Sequence, residues 1–147
     1  MLTRLVYHSE NHLGAAGGTM IADLNAILDV SNRNNEKAGI TGALLFDTLW
    51  FVQILEGERE AVSATLCRII GDPRHDTVTV MDCRPAAARL FGNWWMGLAL
   101  LRGDQSALLG RHGLTSFNPR DISGDQAVSL ALDVAAGGLN RKIVAAA

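Results

Sequence analysis

Gly39-Ile-Thr-Gly-Ala-Leu-Leu-Phe-Asp-Thr-Leu-Trp-Phe-Val-Gln-Ile-Leu-Glu-Gly57 is the stretch from which the fold can be read. Two apolar runs, Ile40–Phe46 and Trp50–Leu55, flank a break at Asp47-Thr48, the pattern of adjacent strands joined by a tight turn. Neither run alternates with polar residues, so both faces of the sheet they form should be covered. Gln53 is the exception. A side-chain amide in the middle of such a strand must find partners for its donors and its acceptor.

The flanking sequence supplies the rest of the layers. Leu2–Tyr7 alternates as a strand, with Leu5 and Tyr7 on one face and Arg4 and Val6 on the other. His8–Gly18 is expected to be a loop. Thr19 is placed to cap a helix to about Asn32, with Met20, Leu24, Ile27, Leu28 and Ser31 on one side and Asn34-Asn35 at its end. After the hairpin, Glu58–Ile70 has the spacing of a second helix facing inward through Val62, Leu66, Ile69 and Ile70, stopped by Gly71-Asp-Pro73. Thr77–Cys83 and Trp94–Leu101 are expected strands, joined through Arg84–Gly92.

Strand, helix, strand, strand, helix, strand and one further strand is the order of an α+β ferredoxin-like sandwich. The expected architecture is a five-stranded mixed sheet with two helices on one face. The other face needs a cover, which the tail can supply through Ser106–Arg111 and Asp125–Ala136, ended by Gly137-Gly138. The organisation is therefore residues 1–101 as one domain and 102–147 as a helical extension packed on its sheet.

Composition narrows the function. A chain of 147 residues that is 48% hydrophobic and 19% charged, with net charge −2, is an ordinary globular protein without the basic surplus of a nucleic-acid binder. No signal peptide is expected at a terminus that opens on a strand, and no apolar run reaches membrane length. Cys67 and Cys83 form no Cys-x-x-Cys pair and are expected as buried thiols in the cytoplasm. His8 and His12 lack a third metal ligand. The Gly14–Gly18 run has neither the P-loop Lys-Ser/Thr nor the dinucleotide-binding spacing.

Taken together, Tyr7, Ser31-Asn-Arg-Asn-Asn35, Gly39-Ile-Thr-Gly42, Phe51-Val-Gln-Ile-Leu-Glu-Gly57, Asp72-Pro-Arg-His75 and Arg89-Leu-Phe-Gly-Asn-Trp-Trp-Met96 resemble the BLUF domain, the blue-light sensor that uses FAD. The likeness runs in order and spacing from residue 2 to about 100. It implies non-covalent FAD held between the two sheet-packed helices, with Ile27 and Val62 to Ile69, Leu66 among them, lining its faces. It implies that Asn35, with Asn34 beside it, meets the polar edge of the ring, and that Arg74 and His75 lie toward the ribityl-phosphate chain.

The resemblance also implies a light switch in place of a catalytic cycle. Tyr7, the only tyrosine, would give an electron and a proton, and Gln53 would emerge with its amide ends exchanged. Trp94 and Met96 would carry the signal from a shared face of the fifth strand, either of them able to approach Gln53. With no output domain evident, an unidentified downstream protein and a homo-oligomer are the implied partners, and neither nucleic acid nor membrane. A flavin-dependent redox enzyme would need a substrate cavity where Tyr7 and Gln53 fall. A light-insensitive binding module of the same fold would have no use for that pair.

Overall fold

A computed structural model describes residues 1–12, 20–47, 49–72, 75–101 and 104–137, with the side chains of residues 75 and 76 excepted. Five strands run β1 (Leu2–Asn11), β2 (Thr41–Phe46), β3 (Trp50–Glu58), β4 (His75–Pro85) and β5 (Gly97–Leu100). Four helices accompany them: α1 (Met20–Ala38), α2 (Arg59–Ile70), α3 (Ser106–Arg111) and α4 (Gly124–Ala136). The sheet order is β4-β1-β3-β2-β5. Its pairs are antiparallel except β2 with β5, which is parallel. This is the mixed α+β sandwich expected from the hairpin outward.

The apolar hairpin sits at the centre, as its composition requires. All six residues of β2 are buried, as are Phe51–Gly57 of β3. Two cores flank the sheet. On one face Leu5, Tyr7, Leu44, Phe51 and Leu55 pack with Leu24 and Leu28 of α1 and Val62 of α2. On the other face Val6, Ala43, Leu45, Val52 and Ile54 pack with Leu109 of α3 and with Ala127, Leu130 and Ala131 of α4. The tail thus completes the second layer, because odd and even positions of each strand both carry apolar side chains that must be buried.

Several boundaries differ from the sequence expectation. β1 continues to Asn11, because His8, Ser9 and Glu10 pair with Val52, Phe51 and Trp50 where a loop was expected. α1 does not end at Asn34-Asn35. It runs to Ala38 and stops at Gly39, whose φ of +70° is the left-handed conformation that closes a helix. The amide of Ile40 donates to the Asn35 carbonyl at 2.9 Å across that cap. Asn35 is therefore held inside a helix.

On α2 the buried positions are Val62 and Thr65, while Leu66 is half-buried and Ile70 is exposed. One residue on a helix is a rotation of about 100°, so an inward face centred on 62 and 65 turns 70 to solvent. Cys67 and Cys83 are both exposed, contrary to their expected burial. Cys67 lies on the outer side of α2, and Cys83 lies on β4, an edge strand with little cover. Gly14–Gly18, the Thr19 cap, Thr48, Pro73 and Gly138 lie outside the described residues.

Candidate functional site

The site is assembled by sheet register. Tyr7 of β1 stands directly opposite Gln53 of β3, and Gln53 in turn faces Leu44 of β2. Directly opposed side chains share a face, so the phenol and the amide meet below the α1 and α2 layer. The Tyr7 hydroxyl donates to Gln53 Oε1. Gln53 Nε2 donates to the Met96 sulfur at 3.4 Å. Tyr7, Gln53 and Met96 are all buried, and one amide joins a phenol to a thioether through its two ends.

Burial, and then the negative charge of Asp72, hold the Tyr7 phenol well above the usual tyrosine range. The hydroxyl therefore stays protonated at any working pH and remains a donor to Gln53.

Above this relay a cleft of about 160 Å³ opens between the two helices. Ile27 and Val30 of α1 and Ile69 of α2 form its apolar sides, and Leu44 and Gln53 form part of its lining from the sheet. Ser31, Asn34, Asn35, Thr65, Arg68 and Asp72 add polar groups. Asn35 is buried and donates from its amide nitrogen to the Trp95 carbonyl at 2.8 Å, which fixes the side chain. Asn34 makes no side-chain hydrogen bond among the described residues. Flat apolar walls beside amide donors and acceptors fit a planar heteroaromatic ring with carbonyl and imide edges, which is the donor set FAD requires. An arginine near the opening adds a group suited to phosphate or carbonyl oxygen, here bonded from Nη2 to Thr65 Oγ1 at 3.3 Å.

The structure brings Tyr7, Gln53 and Met96 into contact and sets Ile27, Asn34 and Asn35 around the cleft. Leu66 is absent from the lining; it packs into the adjoining core, and Thr65 and Ile69 take the helix face that Leu66 was expected to share. Arg74 lies outside the described residues, as does the side chain of His75.

Trp94 and Met96 do not share a face. Met96 belongs to the core under α1 and α2, and Trp94 packs into the opposite core with the tail helices. The expected alternation fails because β5 begins only at Gly97. Residues before it form a turn, closed by a bond from the Trp94 amide to the Phe91 carbonyl at 3.0 Å, and period-two placement holds only in extended strand. Met96 is therefore the partner of Gln53, and Trp94 packs on the core that the tail helices also enter.

Sequence reasoning gave no site role to Arg68, near the end of α2, or to Asp72, which it quoted only within Asp72-Pro-Arg-His75. It also passed over Glu56, a fully buried carboxylate at the end of β3. The signals for Glu56 were its place in Phe51-Val-Gln-Ile-Leu-Glu-Gly57 and an acid following an otherwise apolar run.

Comparison with known proteins converges on one group. Residues 2–97 match the family model described as "BLUF: Sensors of blue-light using FAD". The chain is 36% identical over 102 residues to the blue light- and temperature-regulated antirepressor BluF of Escherichia coli K12, covering 69% of this chain and 24% of that protein. It is 38% identical over 94 residues to the photoactivated adenylate cyclase subunit beta of Euglena gracilis, covering 64% of this chain and 10% of that protein. It thus spans a minor part of either relative. Among solved structures, the photo-activated state of BlsA superposes with a TM-score of 0.81 at 25% identity, covering 91% of this chain and 94% of that one. The dark state of BlrB, a BLUF protein, superposes at 0.75 with 32% identity, covering 94% and 97%.

Proposed function

The chain belongs to the BLUF family, the sensors of blue-light using FAD, and on that premise we propose that it switches through Tyr7, Gln53 and Met96 and hands the signal to its tail. The observation that carries this reading is the buried chain from the Tyr7 hydroxyl through the Gln53 amide to the Met96 sulfur, lying beside the cleft.

FAD would be held by Ile27, Val30 and Ile69 against its faces and by Asn34, Asn35 and Arg68 at its polar edges, with Arg74 and His75 toward the ribityl-phosphate chain. Bound FAD supplies a blue-light-excited electron acceptor. Tyr7 would give up one electron to that acceptor and pass its proton along the bond it already donates to Gln53 Oε1. Both would return to the phenol on recombination, leaving no net chemistry. What persists is Gln53 with its donor and acceptor ends exchanged, because an amide can present either end to either neighbour. An exchanged amide no longer offers the same end to Met96, and the contact at the start of β5 is remade.

Residues 1–101 form the sensor in this reading, and 102–147 the element that reads it. The supporting geometry is that Met96 and Trp94, two residues apart, lie in the two opposite cores. The partners are an unidentified downstream protein and a second copy of the chain, in the cytoplasm. Support for a downstream protein comes from the antirepressor and cyclase relatives, whose names describe regulated outputs.

The test is an absorption spectrum of FAD-loaded protein before and after a blue flash. The wild type should shift to the red and relax in the dark. Gln53→Leu should keep the flavin spectrum and lose the shift. A normal shift in that variant would remove Gln53 from the switch, and a spectrum that bleaches would point to redox turnover instead.

A further inference from the structure

Glu56 and Gln53 stand three residues apart on β3 and therefore point to opposite faces of the sheet. Both reach the same connection between β4 and β5, at different places. Gln53 meets Met96 on the flavin side. Glu56, completely buried, holds the connection from the other side with both carboxylate oxygens. Oε1 accepts from the Phe91 amide at 2.9 Å and from Thr41 Oγ1 at 3.3 Å. Oε2 accepts from the Leu90 amide at 2.8 Å and from Arg4 Nε at 3.0 Å. Every contact is a donor to an anion, and such bonds are stronger than those between neutral groups.

Arg89 fastens the same segment a second time. Its Nη1 donates to Thr41 Oγ1 at 2.9 Å and to the Glu56 carbonyl at 3.1 Å, and its Nη2 to the Gly39 carbonyl at 2.8 Å. Residues 89–91 are thereby tied to the α1 cap, to β2 and to β3. Beyond this anchor the chain is held more lightly, by the Gly42 amide on the Trp94 carbonyl at 3.1 Å and by Asn35 on the Trp95 carbonyl. Trp94 lies between the anchor and Met96.

We infer that Glu56 and Arg89 are positioning residues that form the pivot of the output: they hold residues 89–91 still, so that a change at Met96 displaces Trp94 against the tail helices. The inference rests on the photoswitch reading above. A segment free at both ends would absorb a small shift by sliding. Anchored at 89–91 and paired with β2 from Gly97 on, it can shift only in between, where Trp94 lies, and a packed core responds to such movement by repacking.

The experiment compares FAD-loaded wild type, Glu56→Gln and Arg89→Lys, in darkness and under blue light, by absorption and by hydrogen exchange of residues 104–137. Gln at position 56 keeps the shape but turns one oxygen into a donor facing two donors. Lys at exposed position 89 keeps the charge and loses the fork. In wild type the red shift should be accompanied by faster exchange across 104–137. Both variants should keep the red shift and lose the light-dependent difference in exchange. A purely structural role would weaken the two signals together.

Retention of the exchange difference in both variants would overturn the pivot, as would a wild type that shifts red with unchanged exchange. If Glu56→Gln fails to fold, Arg89→Lys decides the matter alone. Loss of the red shift in Arg89→Lys would assign that residue to the flavin site instead. A wild type that shows no red shift would remove the photoswitch reading itself, which the spectrum reports before any exchange is measured.

Discussion

At the scale of single residues the chemistry is set by what burial does to a polar group. Tyr7 and Gln53 satisfy each other, and the phenol is kept a donor by its surroundings. His8, the next residue along β1, points the other way. It is buried, its ring stands edge-on to Trp50 with centroids 5.7 Å apart, and its Nδ1 has no partner among the described residues. Arg120 lies over the same Trp50 ring at 5.1 Å. Burial first, and Arg120 second, lower the His8 pKa from its ordinary 6.5. The unfolded chain therefore binds this proton more readily than the folded one. Stability is full above pH 6.5 and declines as pH falls through 6.5 and on through the lowered folded value, with a slope of at most about 1.4 kcal/mol per pH unit. Thermal melts between pH 7 and pH 5 should show the decline, and His8→Gln should flatten it. An unchanged slope in that variant would assign the effect to another group.

The amide partnership was legible at this scale because a glutamine inside an apolar strand has few ways to be satisfied. The role of Glu56 was not, since its partners come from segments distant in sequence. Glu56 is bonded to residues 34 and 35 positions further on, and nothing local announces that.

Among the elements, the hairpin and both sheet-packed helices followed from periodicity, while the ends of elements did not. α1 ran past its two asparagines because Gly39, four residues later, offers the left-handed conformation at lower cost than Asn does. β5 came out short because the turn bond from Trp94 to Phe91 removes three residues from the strand, and with them the expected common face of Trp94 and Met96. α4 begins with a reciprocal cap: Gln126 N donates to Ser123 Oγ at 3.1 Å, and Ser123 N to Gln126 Oε1 at 3.0 Å. Ser123→Ala should cost about 1 kcal/mol. Chemical denaturation would read it as a lower midpoint at unchanged slope, and a neutral result would mean that packing alone fixes the start of this helix.

For the whole molecule, the two cores divide the labour. One surrounds the cleft between α1 and α2 and the relay, the other binds the tail, and the central strands separate them. Leu130 is fully buried in the second core. Leu130→Ala should destabilise the protein by about 2–5 kcal/mol through the lost contacts and the cavity left behind. The same variant should keep the size of the red shift, since Tyr7 and Gln53 lie across the sheet. A melt and a flash spectrum on one sample would check both, and a diminished shift would show that the two cores are not independent in the dark state.

The two borders of the sheet bear on how copies of the chain can meet. β5 is four residues long, and β4 carries two register shifts against β1 together with Thr77 at a φ of +52°, a conformation rare for a residue with a branched side chain. Irregular or very short borders are poor templates for an incoming strand. Continuation of the sheet from one molecule into the next is therefore disfavoured at both ends. Any symmetric pair is left to form through helices or loops, and those include the helices that flank the cleft and those that cover the opposite face.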